Sequence, residues 1–154
     1  MSARADLWNQ IVARPFDHET LTELAAWVIE HREALMNSVA GPSDPRPGWV
    51  GGSDDPDRPG PRCFIKHWLA GECTERHTHP NGMLMVVIDG AIQVDEGSDR
   101  QNEQRTTLNR GEWQIRLAEE GGFDHFPHVI GCDQDSISLH LYSDAPSRGQ
   151  TLSC

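Results

Sequence analysis

Beyond Pro61 the chain breaks into seven strand-length runs: CFIKHWLA, NGMLMVVIDG, AIQVDEG, QRTTLNRG, EWQIRLA, FPHVIG and SISLHLYS. Turn signals at Asp89-Gly90, Arg110-Gly111 and Gly121-Gly122 divide them. Short strands at such even spacing pack as two sheets or close into a barrel. The region 62–146 is therefore expected to be mostly β, a sandwich or barrel, with 147–154 as a tail.

Upstream the periodicity changes from that of strands to that of helices. In DHETLTELAAWVIEHREALMNSVAG, the apolar residues Leu21, Leu24, Ala25, Val28, Ile29, Ala34 and Leu35 follow the spacing of one helical face. Thr20 and Glu23 have capping-box spacing, and Gly41-Pro42 closes the element. A shorter helix over ADLWNQIVAR is expected to stop at Pro15. Residues 1–40 thus read as a helical part packed on the barrel. Between them, GPSDPRPGWVGGSDDPDRPGP (41–61) is too rich in Gly, Pro, Asp and Ser for regular structure, and its length suits either a lid or a surface connection. At 154 residues the whole forms one domain, large enough to bury about two thirds of its unfolded surface.

Charge narrows the partners. With 13 Lys+Arg against 24 Asp+Glu the formal net charge is -11, which disfavours nucleic acid and anionic membrane surfaces. Mean hydropathy is -0.58, no apolar run is long enough to span a bilayer, and MSARADLWNQ lacks a signal-peptide core, so a cytoplasmic location is expected. Cys63, Cys73, Cys132 and Cys154 show no paired spacing and are expected to be free, buried thiols.

The chemistry concentrates at ERHTHPNG. His77 and His79 are two positions apart, so in extended backbone both imidazoles face the same way and can converge on a metal. A third ligand on another strand can be His67, His125, His128 or His140. Three neutral imidazoles would leave positions open for substrate and a small molecule such as dioxygen. Iron, zinc, nickel and copper all accept such donors.

GECTERHTHPNGMLMVVIDG resembles the first motif of the cupins, with Gly71, His77, His79 and Gly90 at its spacing and Met83 where a glutamate usually stands. Loss of that carboxylate is a feature of the thiol dioxygenase branch. DSISLHLYSDAP is similar to the signature of the cysteine dioxygenases, and Trp68 stands nine residues before His77 as in that family. The resemblance spans roughly Cys63 to Pro146. It implies a cupin fold, a double-stranded β-helix or jelly-roll-like barrel, and a ferrous ion, Fe(II), held by His77, His79 and a third histidine.

For that ligand HVIGC from His128 matches the family's pattern better than HFPHV from His125, whose strand Pro127 would interrupt. The resemblance also implies that Ser138, His140 and Tyr142 form a hydrogen-bonded catalytic run on one strand face. The expected activity is oxidation of a small thiol, of the cysteine or mercapto-acid type, by dioxygen to a sulfinate. The alternative is a metal-dependent cupin oxygenase, isomerase or lyase acting on a non-thiol small molecule. Either would work as a monomer or homodimer, without nucleic acid or membrane.

Two features depart from the family. No arginine stands near Gly51, where a carboxylate-binding arginine is usual, which leaves Arg46, Arg58 and Arg62 as substitutes. Met83 also takes the place of the cysteine that some relatives link to the tyrosine, so Tyr142 is expected to be unmodified. Trp49, Trp68 and Trp113 read as core or pocket wall, and Cys132 as an inert or substrate-facing thiol.

Overall fold

The structure is a computed structural model that describes residues 2–39, 48–53, 55, 57–78, 82–117 and 127–144. Its helices are α1 (Ala3–Val12), α2 (His18–Glu30) and α3 (Arg32–Asn37). Its strands are β1 (Gly48–Gly51), β2 (Arg62–Trp68), β3 (Met83–Asp89), β4 (Ala91–Glu96), β5 (Gln104–Asn109), β6 (Trp113–Arg116), β7 (His128–Gly131) and β8 (Ser136–Tyr142). Each of the seven runs beyond Pro61 becomes one strand, β2 to β8.

Among the described residues these strands form two antiparallel sheets, one ordered β1-β2-β8-β3-β6 and the other β5-β4-β7. Alternation assigns the two faces of the larger sheet. Cys63, Ile65, Leu84, Val86, Ile88, Leu139 and Leu141 pack outward against Leu7, Ile11, Leu21, Leu24, Ala25, Val28 and Leu35 of the helices. Trp68, Met83, Met85, Val87 and Tyr142 pack inward against Ile92, Val94, Leu108, Ile130 and Cys132, most of them from the smaller sheet. Burial on both faces is why β3 reads as the unbroken apolar run MLMVVI. A β-barrel interior lies between the sheets, and the helices cover one outer face.

Three local expectations need correction. The cap of α2 is Asp17, which accepts a hydrogen bond from the Thr20 N–H at 2.8 Å, so Thr20 lies within the helix. The long helix is divided at His31, whose Nδ1 lies 2.8 Å from the Trp27 carbonyl and whose ring stacks on Trp27 with centroids 3.9 Å apart. Regular structure also enters the 41–61 segment. Trp49 and Val50 suit a strand, and β1 pairs with Cys63, Phe64 and Ile65 on the sheet edge, where Trp8 lies against Gly51.

Gly90, in the tight turn between β3 and β4, has φ +77°, and a Cβ there would sit 2.3 Å from Ser136 Oγ. Both conformation and space demand glycine. Cys63, Cys73 and Cys132 are free thiols; Cys63 and Cys132 are buried but Cys73 is exposed. Among the described residues no helix is long and apolar enough to cross a membrane.

Candidate metal centre

His128 opens β7 with its side chain on the face of Ile130, hence toward the barrel interior. Its main chain pairs with His77 as an isolated antiparallel bridge: His77 N–H donates to the His128 carbonyl at 3.1 Å, and His128 N–H to the His77 carbonyl at 3.0 Å. This clamp brings the two Nε2 atoms to 3.1 Å, with the rings edge to face.

The second nitrogen of His77 settles which atom is offered. Its Nδ1 lies 2.7 Å from the Glu75 carbonyl, and a carbonyl only accepts, so Nδ1 carries the proton and the neutral ring presents its lone pair at Nε2. Burial holds the His77 pKa below the usual imidazole value, partly opposed by the Glu75 hydrogen bond, which keeps the ring neutral near pH 7.

The pair fits a metal. Two imidazole nitrogens about 2.0–2.1 Å from one ion and at right angles to each other lie about 3 Å apart. The observed 3.1 Å matches that spacing, and the Glu75 contact supplies the kind of outer hydrogen bond that orients ligand histidines. Among the described residues no group of three His, Cys, Asp or Glu gathers around one point. His79, the intended partner in the HxH pair, and His125, the competitor of His128, lie outside the described residues. His67 is on the outer, helix-facing side of β2 with Cys63 and Ile65, which removes it as a candidate.

Ser138, His140 and Tyr142 share the inner face of β8. Trp68 Nε1–H donates to Ser138 Oγ at 2.8 Å, leaving the serine hydroxyl proton for His140 Nε2 at 2.7 Å. Phe64 stacks on His140 with centroids 5.1 Å apart, and the Tyr142 ring centroid lies 6.3 Å from that of His140. Burial raises the Tyr142 pKa, so its phenol stays protonated and can donate.

Of the arginines considered, Arg46 lies outside the described residues and Arg58 is exposed. Arg62 is 1% exposed and its guanidinium is used by the preceding loop: Nε donates to the Ser53 carbonyl at 3.0 Å, the Nη atoms donate to those of Gly60, Asp55 and Arg58, and Nη1 meets Asp144 at 3.3 Å. Of the tryptophans, Trp68 is interior, Trp49 packs edge to face on Phe64, and Trp113 is 38% exposed rather than core. Cys132 is interior, with Sγ 3.2 Å from the Leu69 carbonyl and its pKa raised by burial and then by the charge of Glu72.

One polar group escaped sequence reasoning. Glu96 continues the inward alternation of Ile92 and Val94, lies in register with His128, and binds Arg116 of the other sheet through Nε at 2.9 Å and Nη2 at 2.6 Å. A carboxylate at the third inward position of an apolar alternation was the available signal.

No protein-family model matches the chain, and no curated protein matches it. Solved structures do. An uncharacterised conserved protein with a double-stranded β-helix domain from Klebsiella pneumoniae is 16% identical, with a TM-score of 0.55 over 78% of this chain and 95% of that one. A cupin superfamily protein from Desulfitobacterium hafniense is 14% identical, with a TM-score of 0.51 over 68% of this chain and 82% of that one. A protein from Neisseria meningitidis is 12% identical, with a TM-score of 0.51 over 73% and 95%. At such identities the likeness concerns fold. The chain has the double-stranded β-helix fold of the cupins, with N-terminal helices packed on it.

Proposed function

We propose that this cupin-fold chain is a non-haem iron(II) thiol dioxygenase, oxidising a small thiol of the cysteine or mercapto-acid type to its sulfinate. The observation that carries the reading is the convergence of His77 and His128 Nε2 atoms at 3.1 Å in a chain that also carries the Trp68–Ser138–His140 hydrogen-bond relay on the inner face of the opposite sheet. His79 is the third ligand in this proposal, on the strength of its HxH spacing.

A ferrous ion held by His77, His128 and His79 would supply sites for a thiolate and dioxygen and lower the thiol pKa enough to bind it deprotonated. The reaction balances without a further reductant: sulfur gives up four electrons, dioxygen takes four, both oxygen atoms end on sulfur, and the thiol proton is released. The chain's own residues supply orientation and protection. His77, with its proton fixed on Nδ1 by the Glu75 carbonyl, keeps its lone pair directed inward. Ser138, anchored by Trp68, fixes the His140 ring, and Phe64 stacks against it to limit its rotation. Tyr142, protonated because it is buried, can donate a hydrogen bond to oxygen that gains negative charge during the reaction. Met83, Met85, Val87 and Ile130 exclude water around them.

The test is oxygen uptake by ferrous-loaded protein with cysteine, cysteamine, 3-mercaptopropionate and larger thiol acids, with sulfinate followed by mass spectrometry. Uptake matched by sulfinate with at least one thiol is the expected result. If ferrous-loaded protein oxidises none of them, the thiol reading is wrong and a cupin acting on a non-thiol substrate takes its place.

A further inference from the structure

Gln114 is 6% exposed and stands on β6 opposite Met85, which itself stands opposite His140, so the glutamine shares the inner face of the larger sheet. Its Nε2 lies 3.3 Å from Glu96 Oε1. Because a carboxylate only accepts, the amide must turn its NH₂ toward Glu96, which fixes Oε1 on the other side. That Oε1 is buried and has no hydrogen-bond partner among the described residues. Buried amide oxygens are almost always paired, so one held without a donor marks a place where a ligand's donor completes the set.

The location supports this. Glu96, which orients Gln114, is the cross-strand neighbour of His128, and side chains so paired have Cβ atoms roughly 4.5–5.5 Å apart. Arg116 neutralises Glu96 with a two-nitrogen contact, so the group facing a ligand is an uncharged acceptor rather than a free carboxylate. Gln114, Arg116 and Leu108 also border a cleft of about 370 Å³ between the edge strands β5 and β6. The amide therefore lies between the barrel interior and an opening.

We infer that Gln114, oriented by the Glu96–Arg116 pair, is a specificity-determining residue whose Oε1 accepts a hydrogen bond from an N–H or O–H on the substrate's head group. The inference rests on the metal-centred reading of His77 and His128 and narrows its substrates. Amine-bearing and hydroxyl-bearing thiols are selected over those whose only head group is a carboxylate, which has no proton to offer at neutral pH and meets an oxygen lone pair instead.

The experiment is anaerobic titration calorimetry of the ferrous-loaded full chain with cysteamine, 2-mercaptoethanol, 3-mercaptopropionate and ethanethiol. Cysteamine and 2-mercaptoethanol should bind about tenfold more tightly than ethanethiol, the factor that about 1.4 kcal/mol represents. Gln114→Met, close in shape but without the acceptor, should lose that factor and bind ethanethiol as wild type does. A preference for 3-mercaptopropionate, or an unchanged ranking in Gln114→Met, overturns the inference. If the variant does not fold, the wild-type ranking alone decides. If no thiol binds, the thiol reading fails, and ethanolamine against ethane-1-sulfonate becomes the pair of probes. Ethanolamine bound by wild type preserves the subsite, and its failure to bind removes it.

Discussion

His77 and His128, 51 residues apart in sequence, exchange both main-chain hydrogen bonds and place their Nε2 atoms 3.1 Å apart. A shared proton and a shared metal both suit that distance, and metal titration distinguishes them. Under the metal reading, His77→Ala and His128→Ala should weaken ferrous binding by more than the ~10–100-fold that loss of an outer hydrogen-bond partner causes. His67→Ala, on the outer face of β2, should bind as wild type. Elemental analysis after anaerobic reconstitution and gel filtration measures this. Full metal loading of His128→Ala would transfer the ligand role of His128 to His125.

Ser138 joins two buried groups, Trp68 Nε1–H and His140 Nε2. Ser138→Ala removes the acceptor of one and the partner of the other. The expected loss is about 1–3 kcal/mol in urea unfolding, since a buried donor left unsatisfied costs roughly that much. Metal content should not change, while turnover should fall because His140 is no longer held. Equal turnover in wild type and Ser138→Ala would take the relay out of the reaction.

What could be read from the sequence follows from what is periodic or contiguous. Strands β2 to β8 were legible because strand-length runs are divided by turn residues at even spacing, although β5, QRTTLN, buries only Leu108, and β3 announced its double burial in MLMVVI. The Ser138-x-His140-x-Tyr142 face was legible for the same reason. Strand β1 was hidden because its stability comes from pairing with β2 and from Trp8 packing on Gly51, neither of which a Pro/Gly-rich composition records. The break at His31 depends on a ring stacked on Trp27. Gln114, Glu96 and Arg116 meet across two sheets, and no spacing rule connects residues on facing sheets.

Asp95 and Arg105 face each other across the β4–β5 hairpin, with Nε to Oδ1 at 2.7 Å and Nη2 to Oδ2 at 3.0 Å. The Arg105 hydrogen bonds hold the Asp95 carboxyl below its ordinary pKa. A depressed folded-state pKa means that the stabilisation is fully present above the unfolded value, about 3.9, and is lost as pH falls through the folded value. Asp95→Asn should therefore be less stable than wild type at pH 7 by about 0.5–1 kcal/mol, since Arg105 is largely exposed and solvent screens the pair. Thermal melts from pH 7 to pH 2 should show the difference shrinking below about pH 4. A difference that grows on acidification contradicts the assignment.

Arg62 decides between two roles that predict opposite kinetics. As a clamp for a substrate carboxylate, its loss would raise KM for carboxylate-bearing thiols and leave the fold alone. In the structure its guanidinium instead gathers the carbonyls of Ser53, Asp55, Arg58 and Gly60, and its Cα stands in register with Tyr142. Arg62→Met should therefore cost at least about 2 kcal/mol, because several loop carbonyls lose a buried donor. Protease cleavage within 53–60 should accelerate. Arg62→Lys should restore little, since an ammonium is a point donor and cannot reproduce the fork of the guanidinium. Any loss of turnover should be shared by carboxylate-bearing and carboxylate-free thiols alike, because the defect is in the loop beside Tyr142 and not in a carboxylate contact. A selective rise in KM for the acids, with an unchanged melting temperature, would return Arg62 to the substrate site.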